Sequence, residues 1–133
     1  MIKARVSIQI IGNLADMVTK ALKKAMEFLK ERPGIKVTKE EYAKPEKMKG
    51  LPLLSAFVEF EADFDSFETF AGMIMDFGPD SVEVISPNKI ELGIEEIQNT
   101  ATDMAEKFKQ AGQRIQQLEA LLSAQLKKQQ KPE

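Results

Sequence analysis

The sequence predicts an α+β fold: a four-stranded antiparallel sheet with two helices on one face, followed by one long C-terminal helix. Stretches that alternate apolar and polar residues, as half-buried strands do, are separated by stretches with a helical apolar period, in the order β-α-β-β-α-β. The last third of the chain instead keeps a seven-residue apolar repeat over four heptads. Such a repeat is typical of a helix that packs along another helix.

The first half of the chain predicts a strand, a helix and a more polar strand. The stretch from Lys3 to Ile11 alternates, and Asn13 is the expected N-cap of the helix that follows. The segment Arg32-Pro33-Gly34 should end that helix, and Ile35 to Tyr42 predicts a strand at a sheet edge. Residues 44–52 predict an irregular loop. The apolar positions of the helix are Leu14, Met17, Val18, Ala21, Leu22, Ala25, Met26 and Leu29.

The second half begins with a strand in which Leu54, Ala56, Val58 and Phe60 alternate with more polar residues. Asp65 with Glu68 predicts an acidic capping box for a second helix, which Gly78-Pro79 ends. Val82 to Ile85 predicts a short fourth strand, and Asn88 with Glu91 a cap for the heptad helix. The apolar positions of the second helix are Phe67, Phe70, Ala71, Ile74 and Phe77.

Right-handed crossovers fold these elements into a ferredoxin-like sandwich with an added long C-terminal helix. We therefore expect a ferredoxin-like domain over residues 1–87, the heptad helix over 88–127 and a disordered tail over 128–133. One face of the sheet should stay open, and we expect a partner, a second subunit or part of the terminal helix to cover some of it. The residues predicted on this open sheet face include Arg5, Gln9, Phe57, Glu59 and Tyr42.

The heptad helix predicts association. From Ile94 to Leu126 it would run roughly 50 Å, whereas a domain of this size is about 25–30 Å across. Packing on its own domain could cover the apolar seam only to about Phe108, and burying five distal side chains would contribute on the order of 8–12 kcal/mol. We predict a homo-oligomer (a dimer or a higher even assembly) or a complex with a partner helix. The interface residues are Ile97, Ala101, Met104, Phe108, Ala111, Ile115, Leu118 and Leu122.

Large and small residues alternate along this seam, which begins at Ile94. Ala105 and Gly112 lie immediately beside it and would allow two backbones to approach closely. This pattern favours an antiparallel helix pair over a uniform parallel zipper.

Composition narrows the function classes. The chain has 133 residues and a net charge of −2, with neither cysteine nor histidine. Disulfide and thiolate chemistry are therefore excluded, and the commonest general base and metal ligand is missing. Residues 1–50 carry 12 Lys/Arg against 6 Asp/Glu, and residues 51–90 carry 1 against 8. No apolar run reaches membrane-spanning length, so we expect a cytoplasmic protein without signal peptide or membrane segment.

The sequence predicts no catalytic, cofactor-binding or metal-ligating residues. Glu59, Glu61, Asp63 and Asp65 alternate and could place three carboxylates on one strand face. They lack the glycine and distal glutamate of a calcium loop, so solvated acids and a helix cap explain them better. No Gly-rich phosphate loop is present. A small oligomeric enzyme with a site between subunits is an alternative, since ferredoxin-like dimers can build sites from ordinary residues.

The stretch from Phe67 to Pro87 runs FETFAGMIMDFGPDSVEVISP. It resembles the end of the C-terminal extension domain of WYL-type bacterial regulators, where a helix, a Phe-Gly-Pro-Asp turn, a Val-Glu-Val strand and a proline precede a last helix. The resemblance implies the fold and a habit of assembling and sensing. The WYL domain itself and any helix-turn-helix are missing.

Ser55-Ala56-Phe57-Val58-Glu59-Phe60 and Ile11-Gly12-Asn13-Leu14 are similar to the two strand signatures of RNA-recognition motifs. The resemblance implies that an open-face aromatic, Phe57, would stack on bases. Ser55 and Gln9 or Ile10 stand where that family needs two further aromatics, and an acidic run follows. Phosphate attraction would be weak, so the sequence disfavours nucleic acid as a partner.

The function predicted from the sequence is a non-catalytic interaction or regulatory module that assembles through its C-terminal helix and binds a small effector between subunits. An RNA-binding module and a small oligomeric enzyme are the two alternatives. No cofactor is expected.

Overall fold

The computed structural model of the chain describes residues 1–130. Its elements are β1 (Ile2–Gly12), α1 (Ala15–Glu31), β2 (Ile35–Tyr42), β3 (Glu46–Lys47), β4 (Leu54–Phe64), α2 (Phe67–Phe77), β5 (Ser81–Ser86) and α3 (Ile94–Gln130). The predicted order of four main strands and three helices is confirmed. The two-residue β3 is additional: it lies inside the predicted irregular loop and pairs with the start of β4.

The sheet has the strand order β2-β4-β1-β5, and every neighbouring pair is antiparallel. The central strands β1 and β4 pair along their whole lengths, from Ile2 opposite Phe64 to Gly12 opposite Leu54. The crossover through α1 carries the chain to one sheet edge, and the crossover through α2 carries it to the other. This arrangement is consistent with the α+β ferredoxin-like fold that the sequence predicts.

The hydrophobic core lies between one sheet face and the two helices α1 and α2. Alternate residues of β1 and β4 enter it, as predicted. Leu14 and Met17 were expected there but are exposed, because α1 begins only at Ala15 and its first turn lies beyond the core. Met73 is fully buried instead. The core consists of Ile2, Ala4, Val6, Ile8, Val18, Leu22, Met26, Leu29, Ala56, Val58, Phe60, Ala62, Phe64, Phe70 and Met73.

The predicted N-caps of α1 and α2 are wrong because both preceding strands are longer than expected. β1 continues to Gly12, so the N-cap of α1 is Leu14 rather than Asn13, and no side chain caps it. β4 continues to Phe64, and the Asp65 backbone N–H donates to the Gly34 carbonyl at 2.9 Å. The N-cap of α2 is therefore Ser66, whose hydroxyl accepts from the Thr69 backbone N–H at 3.1 Å.

The bounds of α3 also differ from the prediction. The helix starts at Ile94, so Asn88 and Glu91 precede it and do not cap it. It continues through Gln130, so residues 128–130, predicted as the start of a tail, are helical. Residues 131–133 of that tail lie outside the described residues.

A bulge in β2 reverses which face its last residues occupy. Val37 is opposite Ala62 and Lys39 is opposite Glu61, so Thr38 is the extra residue. After it, Glu40 is opposite Phe60 and Tyr42 is opposite Val58, both of which are core residues. Tyr42 was predicted on the open sheet face and instead lies on the helix-covered face, because one inserted residue exchanges the two faces of a strand.

None of the helices described for residues 1–130 combines the length and the apolar composition that crossing a membrane requires.

Candidate assembly interface

The helix α3 is attached to α2 by a polar face. Glu96 Oε1 accepts from the Glu68 backbone N–H at 3.2 Å, at the start of α2. Lys107 Nζ lies 2.8 Å from Asp76 Oδ1, near the end of α2. The contact nearer the start of α2 is also nearer the start of α3, so the two helices run parallel. Between these two contacts, Thr100 is the one buried residue of α3, with 5% of its surface exposed.

Asp76 stabilises this contact between α2 and α3 by forming ion pairs with two positively charged side chains. Arg32 Nη2, from the end of α1, lies 2.7 Å from Asp76 Oδ2, and Lys107 occupies the other oxygen. Partial burial opposes ionisation of Asp76, but the bonds to Lys107 and then Arg32 outweigh it and hold the pKa of this carboxyl below its ordinary value of 3.8. One side chain thereby ties α1, α2 and α3 together.

The depressed pKa of Asp76 predicts a pH-dependent stability contribution. A carboxyl whose pKa is lower in the folded state stabilises the protein above its ordinary pKa, and this contribution is lost as the pH falls through the folded value. We expect Asp76→Asn to lower the free energy of unfolding by about 1 kcal/mol or less near pH 7, since the pair is partly solvent-exposed. The difference from the unmodified protein should shrink as the pH falls below the ordinary value of 3.8, and it should vanish once the pH is below the pKa of Asp76 in the folded state.

Urea denaturation at a fixed protein concentration, repeated across this pH range, measures the difference. Asp103→Asn is the matched control, because Asp103 lies at the same junction but forms no ion pair within residues 1–130. A pH-independent effect of Asp76→Asn would contradict the assignment.

The apolar seam of α3 lies on a different face from the one that contacts α2. The residues that face α2 are Glu96, Thr100, Asp103 and Lys107. At about 100° per residue, the seam through Ile97, Ala101, Met104 and Phe108 is turned roughly a quarter of the way around the helix from them. All of these seam residues are exposed. The expectation that the domain could cover the seam as far as Phe108 is therefore wrong.

The distal half of α3 projects away from the domain. Every residue from 101 to 129 is exposed, and the 23 residues after Lys107 extend roughly 35 Å at 1.5 Å per residue. The exposed fraction is 71% for Phe108, 56% for Ile115, 58% for Leu118 and 62% for Leu122. Leu121 and Leu126, beside the seam, are exposed as well. The structure thus presents an exposed apolar strip on α3 from Ile94 to Leu126.

The open sheet face is a network of ion pairs around Arg5. The Arg5 guanidinium donates to Glu61 and to Glu83, each at 2.9 Å, and its Nε lies 3.6 Å from Glu59. The hydrogen bond to Glu61, followed by the charge of Glu83, raises the pKa of Arg5 above its ordinary value. Phe57 lies opposite Gln9 on the same face. Arg5, Gln9, Phe57 and Glu59 are thus brought together as predicted, and Tyr42 is not.

The carboxylates that alternate along β4 are divided between different surroundings. Glu59, Glu61 and Asp63 share one strand face, as predicted, and the first two are paired with Arg5. Asp65 lies beside Gly34, where a Cβ would come within 2.6 Å of its carboxylate and where φ is +83°. Only glycine fits at position 34. The Asp65 carboxylate therefore packs against the turn at Gly34. Among residues 1–130, no group of carboxylates is arranged to hold a metal ion.

Tyr42 and Glu40 form a second small network, under the end of α1. The Tyr42 hydroxyl donates to Glu40 Oε2 at 2.9 Å, and Lys30 of α1 pairs with the same carboxylate. Burial, followed by the bond to Glu40, raises the pKa of Tyr42 to about 12. Burial opposes ionisation of Glu40 as well, but its bonds to Lys30 and Tyr42 lower its pKa overall. These shifts favour a protonated phenol and an ionised carboxylate, the ordinary states of both groups.

The polar face of α3 that contacts α2 was not predicted from the sequence. Its members are spaced four, three and four residues apart, so a second stripe was present in the sequence. Charged residues at that spacing are equally typical of a solvated helix face, and no sequence signal distinguishes the two.

The model of one protein family, described as the MJ0538 family, matches residues 3–132, almost the whole chain. No curated protein and no solved structure matches the chain.

Proposed function

The chain belongs to the MJ0538 family, and we propose that it is a non-catalytic interaction module that joins a second copy of itself through the apolar seam of α3. One observation carries this proposal. The polar face of α3 contacts its own domain, and the apolar face is exposed over the full length of the seam.

The exposed seam is too extended to suit a lone copy in water. Isolated helices are marginal in water, and most helices are stabilised by packing their apolar face. Each buried leucine or isoleucine contributes roughly 1.5–3 kcal/mol. Continuous exposed apolar surface of this kind is typical of a protein interface. A second copy is the proposed occupant because it supplies a seam of the same length.

The arrangement of charged groups supports a role without catalysis. The lowered pKa values of Glu40 and Asp76 are explained by lysines and an arginine that tie elements together. The open sheet face presents carboxylates close to Phe57, which opposes the approach of a nucleic-acid phosphate. Depressions lined by the described residues are partly open to solvent. A small effector would bind between two copies, to groups that both of them contribute.

Sedimentation equilibrium of the unmodified protein tests the proposal. One chain has a mass of 14.9 kDa, so we expect a mass of about 30 kDa, or an even multiple of it, at micromolar concentration. A mass of one chain across the accessible concentration range would overturn the proposal.

A further inference from the structure

We infer that two α3 helices pair antiparallel in one register, with the two-fold axis between residues 109 and 110, so that each distal half covers the seam beside the other copy's domain. This inference rests on the proposed self-association and adds its geometry. It follows from the sizes of the seam residues, the exposure of both halves of the seam and the position of α2.

The sizes of the seam residues match in this register. Each small residue meets a large one, and each seam position from 94 to 125 has a partner. In a parallel pair in register, alanine would instead face alanine at two levels and Phe108 would face itself, leaving cavities beside an overpacked layer. The antiparallel layers are Phe108 with the partner's Ala111, Met104 with the partner's Ile115, Ala101 with the partner's Leu118, Ile97 with the partner's Leu122, and Ile94 with the partner's Gln125.

The residues beside the seam are compatible with this register. On one side, Ala105 lies near the partner's Gly112, close to the axis, which permits a short distance between the helices. On the other side, Lys107 lies near the partner's Arg114. The Asp76 carboxylate, 2.8 Å from Lys107 Nζ, is on that side and offsets part of this positive charge, although it also pairs with Arg32.

The position of α2 leaves room for the partner helix. Because α2 occupies a direction about a quarter turn from the seam, the second α3 can lie along Ile97, Ala101 and Met104 without displacing it. Leu121, outside the seam itself, would then lie level with the partner's Thr100, beside the junction of α2 and α3.

The overlap is large enough for a specific interface. Thirty-two residues span about 48 Å, and a helix is about 10 Å wide, so each helix covers on the order of 500 Å² of the other in projection. Two such footprints reach the roughly 1,000 Å² expected of a specific interface.

Spin-label distances test the orientation and the register separately. The chain contains no cysteine, so single-cysteine variants label one site each. Glu106→Cys, Gln113→Cys, Ala120→Cys and Lys127→Cys all lie on the outer face of α3, opposite the seam, and are exposed. In the inferred register, a labelled residue and the same residue of the partner are separated along the helix axis. This separation is about 10 Å at positions 106 and 113, about 32 Å at 120 and about 53 Å at 127.

Pulsed dipolar measurements on the assembled protein should therefore give equal distances at 106 and 113, and a rise of more than about 20 Å from 113 to 127. Equal distances at all four sites would show a parallel pair and overturn the inference, while a mass of about 30 kDa would leave the proposed assembly standing. Unequal distances at 106 and 113 would overturn the register. A single-chain mass would overturn both.

Discussion

Replacing Ile115 and Leu118 together by aspartate is expected to convert the assembled protein into a monomer. Both side chains lie on the seam, in the half of α3 that touches no other part of the domain. A dimer would have to bury four carboxylates without partners, at several kcal/mol each, which exceeds what the seam can gain. The mass from sedimentation equilibrium should fall to 14.9 kDa.

The domain itself should stay folded in this variant, because no core residue is changed. Part of the helical circular dichroism signal should be lost, since an unpaired distal helix is marginal in water. Gln113→Asp with Gln116→Asp is the matched control: it adds the same charge to the same turns but lies off the seam. If both double variants dissociate alike, the seam is not the interface.

Phe64→Ala should cause a large loss of stability. Phe64 is fully buried where β4 meets α2, and its ring packs edge-on against Phe70 with the ring centres 5.0 Å apart. It also pairs with Ile2 and Ile35 on the two neighbouring strands. Truncation removes this apolar volume and leaves a cavity, so we expect the free energy of unfolding to fall by about 3–5 kcal/mol in urea denaturation.

Phe57→Ala is the control for that experiment. Phe57 lies on the same strand but points to the open sheet face, where 44% of its surface is exposed. Its truncation should change the free energy of unfolding by less than about 1 kcal/mol. Losses of equal size for the two variants would contradict the assignment of the core to one face of β4.

The fold could be predicted from the sequence because it depends on periodicity. The alternation of Ala4, Val6 and Ile8 in β1, and of Ala56, Val58 and Phe60 in β4, determines which sheet face is buried, and the structure has the same alternation. The heptad spacing likewise predicts a long helix with an apolar seam, and α3 extends over 37 residues. Periodic patterns are local, so a single chain is enough to detect them.

The ends of the strands and the starts of the helices depended on pairing between strands that are far apart in the sequence. Asn13 and Asp65 are good N-cap residues, yet β1 and β4 pair with each other past the predicted strand ends, and both helices begin later. The bulge at Thr38 is similar: nothing in β2 predicts it, and it places Tyr42 on the sheet face that carries α1 rather than on the open face. Hydrogen bonds between strands distant in sequence set these positions.

The length of α3, the apolar character of its seam and the alternation of large and small residues along it follow from the amino-acid sequence. The face of α3 that contacts its own domain depends on the folded structure. Asp76 lies in α2 and Arg32 directly follows α1, and together with Lys107 they hold the polar face of α3 against the domain. A helix has several faces that could bind, and the choice depends on groups brought beside it by the rest of the fold, which spacing along one chain does not encode.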